Sequence, residues 1–241
     1  MELLQLLVAY VIITLGAICQ SSIGMGFALV TVPFLLMLNP AYVPISIISS
    51  GLVLSLLIFQ RDRTAIDLSG VGIALIGRFL GTAVAAGIFV VLPQDLFPAI
   101  IGSLILFGVL MSLMKPAWNP TPPTLLGAGI LSGIMGTLAG VGGLSIGLLY
   151  QHQKGPVVRG TLAGFLGIGS LVSLLSLFAI GKFSRHDFRL FLMVLPALVL
   201  GFALSRFTIH RLDRGRTRLA ILLVSALSGI IVIIRSLLQY L

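Results

Sequence analysis

The chain contains few charged residues, and acidic ones are especially scarce. Only 9% of its 241 residues are charged, with six Asp and Glu against fifteen Lys and Arg. A soluble domain carries about 25% charged residues. A chain that is 58% hydrophobic cannot hide so much apolar side chain in one core. The lipid bilayer must therefore be its solvent, and we predict an all-α polytopic integral membrane protein.

Cysteine and histidine are also scarce, which argues against disulfide-stabilised, metal-binding and enzymatic functions. The single cysteine, Cys19, excludes an internal disulfide and a multi-cysteine metal site. All three histidines, His152, His186 and His210, fall in linkers. Because we find no histidine cluster, carboxylate pair or activated nucleophile, we predict no enzyme, no catalytic residue, no metal site and no cofactor. The net charge of +9 lies mostly in short linkers, which is typical of membrane orientation and not of nucleic-acid binding.

Eight apolar segments are long enough to span a bilayer. They are Leu3–Leu38, Val43–Gln60, Leu68–Leu92, Phe97–Met114, Leu125–Tyr150, Gly160–Ile180, Phe188–Phe207 and Leu219–Leu238. One linker, at residues 115–123, is rich in proline and lies near the middle of the chain. We therefore predict a first transmembrane repeat at residues 1–114 and a second at residues 124–241.

Two of the segments contain clusters of glycine and small polar residues. Leu3–Leu38 would be about 54 Å long as a straight helix, too long for one crossing. Its middle holds Gly24 and Gly26, and the fifth segment holds a matching cluster at residues 140–143. Glycine lets the backbone leave the helix, and non-helical backbone at membrane depth needs cover from protein or a wet cavity. We therefore predict a broken or re-entrant helix in each half.

The two halves match each other at a nearly constant offset. Gly24 and Gly26 correspond to Gly140 and Gly142, and Gly51 corresponds to Gly167, each 116 residues apart. The offset then grows to 120 for the pairs Asp67 with Asp187 and Gly81 with Gly201, and to 121 for Gly108 with Gly229. These matches predict an internal duplication. The two aspartates precede apolar segments, where we expect them to be helix N-caps.

The basic residues predict how the halves are oriented. If each repeat is a re-entrant hairpin plus three crossings, the second repeat is inverted. One side of the membrane then receives ten basic residues and the other three. The ten are Arg61, Arg63, Lys115, Lys154, Arg159, Arg206, Arg211, Arg214, Arg216 and Arg218. Eight plain crossings would divide the charges almost evenly, so the positive-inside rule favours two inverted repeats.

A buried cation suggests what these repeats do. Arg78 lies near the middle of an apolar segment with no acidic residue near it in sequence, which costs about 2.5–3.5 kcal/mol in hydrocarbon. Inverted repeats that meet at broken helices are the general plan of secondary transporters, and helix N-termini favour anions. We predict a substrate-binding site for a small anion near the bilayer midplane. Its candidate residues are Gln20, Ser21, Ser22, Gly24, Gly26, Arg78, Thr137, Gly140, Gly142 and Gly143.

At these residues the chain resembles a known family. The duplicated segments, with Gly24-Met25-Gly26-Phe27 and Pro33 in the first half and Gly140-Val141-Gly142-Gly143 in the second, are similar to the TauE/SafE (sulfite exporter) family of membrane permeases. The resemblance implies transport of sulfite, thiosulfate, an organosulfonate or a related organic acid across the bacterial cytoplasmic membrane. Phe27 departs from the family pattern, which has a further glycine there, and Leu149 stands where the repeat places a counterpart of Pro33.

Other interpretations remain open at this point. Arg78 could instead bond carbonyl groups near Gly77 and Gly81, or extend to the interface. Ser46, Ser49 and Ser50 lie on one segment, where bonding to backbone carbonyls is the ordinary role of membrane serines. A passive anion channel, or a non-transporting membrane scaffold, is the alternative to a transporter. The sequence leaves the exact substrate, the direction of transport, the coupling ion and the oligomeric state undecided, a homo-oligomer included.

Overall fold

The protein is a bundle of helices, seen in a computed structural model that describes residues 3–93, 96–113, 119–209 and 214–238. Its helices are α1 (Leu3–Ile23), α2 (Phe27–Leu38), α3 (Ile45–Asp62), α4 (Leu68–Val91), α5 (Phe97–Leu113), α6 (Pro122–Ala139), α7 (Gly143–Leu149), α8 (Gly155–Ala179), α9 (Arg185–Thr208) and α10 (Arg214–Leu238), with a 3₁₀ turn at Pro40–Tyr42. Six helices of the described ranges, α1, α3, α4, α6, α8 and α9, are long and apolar enough to cross a membrane. The predicted all-α polytopic membrane protein is therefore confirmed.

Some of the residues named in the sequence predictions lie outside the residues that the structure describes. The first four residues of the proline-rich linker, residues 115–118, lie outside the described residues, as do His210 and Arg211. The side chains of Arg214, Arg216 and Arg218 lie outside them too.

Both predicted helix interruptions are present. Between α1 and α2, Gly24 and Gly26 have φ angles of 99° and 115°. Between α6 and α7, Gly140 has a φ angle of 75°. Only glycine adopts this left-handed region readily, which is why the breaks fall on the glycine clusters. The helices that follow, α2 with 12 residues and α7 with 7, are too short to cross a bilayer alone.

Of the two aspartates that we expected to be N-caps, one caps its helix and the other does not. The Asp67 side chain accepts a hydrogen bond from the backbone N–H of Gly70, so it caps α4 as predicted. The prediction for Asp187 is wrong. Ser184 is the N-cap of α9, and Asp187 at the third helical position bonds back to its backbone N–H in a capping box. The helix begins earlier than the apolar pattern indicates, because its first turn is polar.

Each long N-terminal helix of one half packs against a helix of the other half. On α9, Gly201 contacts Thr14 and Ala17 of α1, where a Cβ on the glycine would lie 2.6 Å from each. On α4, Gly81 contacts Ile130 and Gly133 of α6. Thr14 Oγ1 also donates to the Ala197 carbonyl. Glycine at these crossings lets the backbones approach, as is common between membrane helices.

Further pairs of helices from the two halves also pack together. α3 crosses α8, and α5 packs against α10, where a Cβ on Gly102 would lie 3.1 Å from the Gly229 carbonyl. Large apolar side chains on the outer faces are exposed, for example Val91 at 80%, Phe178 at 69% and Phe207 at 75%. Because these exposed side chains are apolar, the outer faces are suited to contact lipid tails.

A polar contact fixes the end of α7 to the start of α4. Tyr150 Oη donates a hydrogen bond of 2.6 Å to Oδ2 of Asp67. This bond and the backbone N–H of Gly70 lower the pKa of Asp67 below its usual range. A carboxyl with a depressed pKa stabilises the folded state above its unfolded pKa of about 3.9, and that stability is lost as the pH falls through the folded value.

We expect Tyr150→Phe to remove this stabilisation. Thermal unfolding in detergent near neutral pH should show a loss of about 1 kcal/mol, the usual worth of one hydrogen bond. The difference from wild type should shrink as the pH falls below about 3.9, where Asp67 takes up a proton in the unfolded state and then in the folded state. A difference that stays constant down to acid pH would contradict an ionised Asp67 as the acceptor.

Candidate functional site

The two helix breaks meet at a cavity in the interior. The cavity has a volume of about 40 Å³, which is room for roughly three water molecules. Gly26 and Phe27 from the first break line it, as do Gly140 and Gly142 from the second. The breaks touch beside it, because a Cβ on Gly143 would lie 3.8 Å from Cβ of Met25. Parts of α3, α4 and α8 complete the wall, and none of the described residues that line it is acidic.

Arg78 brings a full positive charge to this cavity. Its side chain, 2% exposed, comes from the middle of α4. Nη1 donates to the carbonyl oxygen of Ser132 at 2.7 Å and to Oγ of Ser132 at 2.6 Å, and Nη2 donates weakly to Oγ of Ser173 at 3.4 Å. Nε has no hydrogen-bond partner among the described residues. Within the part of the chain that the structure describes, the guanidinium has no ion-pair partner, since the pairs found there all involve Asp62.

Three glycines leave room for the guanidinium group. A Cβ on Gly136 would lie 2.5 Å from Nη1 of Arg78, and one on Gly169 would lie 2.5 Å from Nε. A Cβ on Gly142 would overlap Nη1 as well. The carbonyl oxygen of Gly142 also accepts a hydrogen bond from the hydroxyl of Ser132. The second helix break and the buried cation are therefore tied together by Ser132.

Six of the ten predicted site residues line the cavity: Gln20, Gly26, Arg78, Gly140, Gly142 and Gly143. Gln20 is already partly engaged, because its Oε1 accepts a hydrogen bond from the backbone N–H of Phe27 at 3.3 Å. That bond takes one of the free donors at the start of α2. The Gln20 amide NH₂ is the donor that this side chain can offer to a ligand.

The other four predicted residues do not line the cavity. The carbonyl of Ser21 accepts a hydrogen bond from Arg61, and Oγ of Ser22 bonds Oγ1 of Thr208 at 3.0 Å. Gly24 packs against the backbone of Arg159. Thr137 lies behind Arg78, where Oγ1 bonds Oγ of Ser173 at 2.8 Å.

Several residues at the cavity were not predicted from the sequence. Ser55 on α3 and Ser170 on α8 line the cavity, and Ser132 and Ser173 hold the guanidinium. Isolated serines in apolar helices carry no distinguishing pattern, since most bond a carbonyl of their own helix. The sequence did hold one indication of the two cavity serines. The glycines Gly51 and Gly167 match at the 116-residue offset, and each lies about one turn before one of these serines.

A second polar cluster closes one end of the bundle next to the first break. Arg159 on α8 forms an ion pair with Asp62 on α3, with Nε 3.0 Å from Oδ2. Arg61 also contacts Asp62 at 3.1 Å and donates to Oγ of Ser205 on α9 at 3.2 Å. Together with the Arg61 bond to Ser21, this cluster joins the ends of α1, α3, α8 and α9.

The comparisons with known proteins agree with this architecture. The family model described as Sulfite exporter TauE/SafE matches residues 9–232. No curated protein and no solved structure matches the chain. A match that covers both helix breaks, the buried arginine and nearly the whole bundle is decisive. The chain belongs to the TauE/SafE family, and it is a multi-pass membrane protein of a family of transporters.

Proposed function

We propose that the protein is a secondary transporter for a small anion, which it binds in the cavity between the two helix breaks. The observation that carries the proposal is Arg78, a buried cation on the wall of that cavity without an acidic partner in the described chain. A charge at membrane depth is costly unless it is paired, and such residues mark substrate paths. An anion in the cavity would supply the missing pair. Sulfite, thiosulfate, an organosulfonate or a related organic acid carries the negative charge that this pairing requires.

Matched contacts support a duplication of the two repeats. Gly81 packs on Ile130 and Gly133 of α6, while its counterpart Gly201 packs on Thr14 and Ala17 of α1. Both pairs of contacted residues differ by 116, the offset that relates the two breaks. A duplication places equivalent contacts at equivalent positions, whereas chance glycine matches would not.

The direction of the helices supports the inversion. α1 runs parallel to α9, because Tyr10 bonds the Met193 carbonyl near their starts and Ser22 bonds Thr208 near their ends. α6 runs parallel to α4, and the start of α4 lies near the end of α3, where Arg61 contacts the end of α1. The first repeat would therefore enter from one side and the second from the other. With the positive-inside rule, the end that holds Arg61 and Arg159 faces the cytoplasm of a bacterial cell.

Alternating access requires a barrier at each end of the cavity that opens in turn. The cluster of Arg61, Asp62 and Arg159 is the barrier at the cytoplasmic end in this proposal. At the opposite end, apolar side chains such as Ile48, Leu138 and Leu177 pack together. Rocking of the two repeats against each other would open either barrier while the other stays closed.

We expect the purified protein in proteoliposomes to take up radiolabelled sulfite. Thiosulfate and ethanesulfonate, added as competitors, should identify the preferred anion. Vesicles loaded with unlabelled sulfite should take up label several-fold faster than empty ones, because a carrier exchanges substrate across the membrane. Uptake that is insensitive to internal sulfite and follows the membrane potential alone would indicate an anion channel. Absence of flux for every anion tested would contradict the proposed function.

A further inference from the structure

Two serines on the cavity wall make no side-chain hydrogen bond within the described residues. Ser55 on α3 is 0% exposed, and its Oγ has no hydrogen-bond partner among the residues that the structure describes. Membrane serines and threonines ordinarily bond the carbonyl one turn earlier. Ser103, Ser173 and Thr31 all do so here, at 2.8–3.0 Å. Ser55 does not, which leaves a strong donor unused inside the protein.

The second serine is Ser170, on the helix α8 that crosses α3. It is 8% exposed and lines the cavity, and it makes no hydrogen bond within the described chain. Each serine faces a glycine of the other helix. A Cβ on Gly51 would lie 3.9 Å from Oγ of Ser170, and a Cβ on Gly167 would lie 3.6 Å from Cβ of Ser55. The crossing of α3 and α8 thus presents one hydroxyl from each half of the chain.

The third unused donor at this cavity belongs to the cation. Nε of Arg78 has no partner in the described ranges, whereas Nη1 is held by Ser132. The cavity is small, with a volume of about 40 Å³, and Ser55, Ser170 and Arg78 all line it. An anion with several oxygen atoms can accept hydrogen bonds on separate oxygens from directions that diverge. A halide presents a single centre to the same donors.

We infer that Ser55 and Ser170 are specificity-determining residues, whose hydroxyl groups act with Nε of Arg78 to select an anion with several oxygen atoms over a halide of the same charge. The inference rests on the proposed function and adds the residues that discriminate. It also explains why two buried hydroxyls in apolar helices make no bond within the described protein. The bound anion is their acceptor.

The test compares sulfite flux of Ser55→Ala, Ser170→Ala and the double variant with wild type in proteoliposomes. Each single change should raise the KM for sulfite at least fivefold, because a hydrogen bond to a charged group is lost. The double change should raise it at least thirtyfold, with the maximal rate within twofold of wild type. Inhibition by chloride should become at least tenfold stronger relative to sulfite. Ser55→Cys retains the size of the side chain with a weaker donor, so it should raise KM even if alanine perturbs folding.

Ser50→Ala is the matched control. Ser50 is also on α3, 0% exposed and without a described partner for its Oγ, but it does not line the cavity. Its KM should equal that of wild type. The inference is overturned if the cavity variants keep a KM within twofold of wild type, or if Ser50→Ala raises KM as much as Ser55→Ala does. A wild-type protein that moves none of the probe anions overturns the proposed function instead, and the inference with it.

Discussion

Replacing Arg78 with lysine should weaken anion binding at least tenfold, although the positive charge is retained. The guanidinium is planar and offers donors in a fixed fork, whereas the ammonium of lysine is a compact point charge. In the structure, Nη1 is anchored on Ser132 and Nε is left free for a ligand by the described residues. A lysine cannot satisfy Ser132 and the anion in the same geometry. Arg78→Leu should reduce sulfite flux to the level of protein-free vesicles.

Thermal unfolding with and without sulfite separates binding from structure for these variants. An anion at a hundred times its Kd stabilises a protein that binds it by about 2.7 kcal/mol. Wild type should gain this stability, Arg78→Lys should gain much less, and Arg78→Leu should gain none. Arg235→Lys, an exposed position near the end of α10, is the control and should behave as wild type. Full flux in Arg78→Lys would show that the fork does not contact substrate.

A single methyl group at Gly142 should have an effect of similar size. Gly142 has φ −78° and ψ −12°, which alanine adopts without strain, so the change acts through space and not through the backbone. The added Cβ would overlap Nη1 of Arg78 and lie 3.1 Å from Oγ of Ser132. Gly136 and Gly169 also lie against the guanidinium, so they restrict how far it can move away from the new methyl group. We expect Gly142→Ala to lower sulfite flux at least tenfold.

The matched control for this change is Gly127→Ala on α6. Nothing in the described structure lies within 4 Å of a Cβ at that position, and alanine is the better helix former by about 1 kcal/mol. Gly127→Ala should therefore leave transport unchanged and the protein at least as stable. If Gly142→Ala transports at the wild-type rate, Arg78 is not held as the structure places it. Flux is measured on equal amounts of reconstituted protein in both cases.

The features of the fold that depend on hydrophobic length and on glycine could be predicted from the sequence. The helix breaks at residues 24–26 and 140–142 followed from clustered glycine, because Gly24, Gly26 and Gly140 adopt left-handed backbone. Helix ends were less certain. α8 begins at Gly155, five residues before the predicted segment, since the proline at position 156 is favoured in the first turn of a helix. Apolar length alone does not report such starts.

The cation of the site could be predicted, and most of the residues that hold it could not. Arg78 is conspicuous because a charge in an apolar run needs a reason. The residues around it come from positions 132, 169 and 173, far away in the chain, and their identities, Ser and Gly, are common throughout the sequence. Ser21 and Ser22 were expected at the site because they precede a glycine break. Neither lines the cavity: the backbone carbonyl of Ser21 accepts a hydrogen bond from Arg61, and the Ser22 hydroxyl bonds Thr208.

The partners of Arg78 have a consequence for biogenesis. All of the hydrogen bonds that its guanidinium donates within the described chain reach into the second half, to Ser132 and Ser173. When the ribosome has delivered α4 to the translocon, neither partner has yet been synthesised. The guanidinium gains its first protein partner, Ser132, only when α6 arrives beside α4, and its second when α8 follows. Assembly with the second half therefore offsets the cost of placing this arginine in lipid.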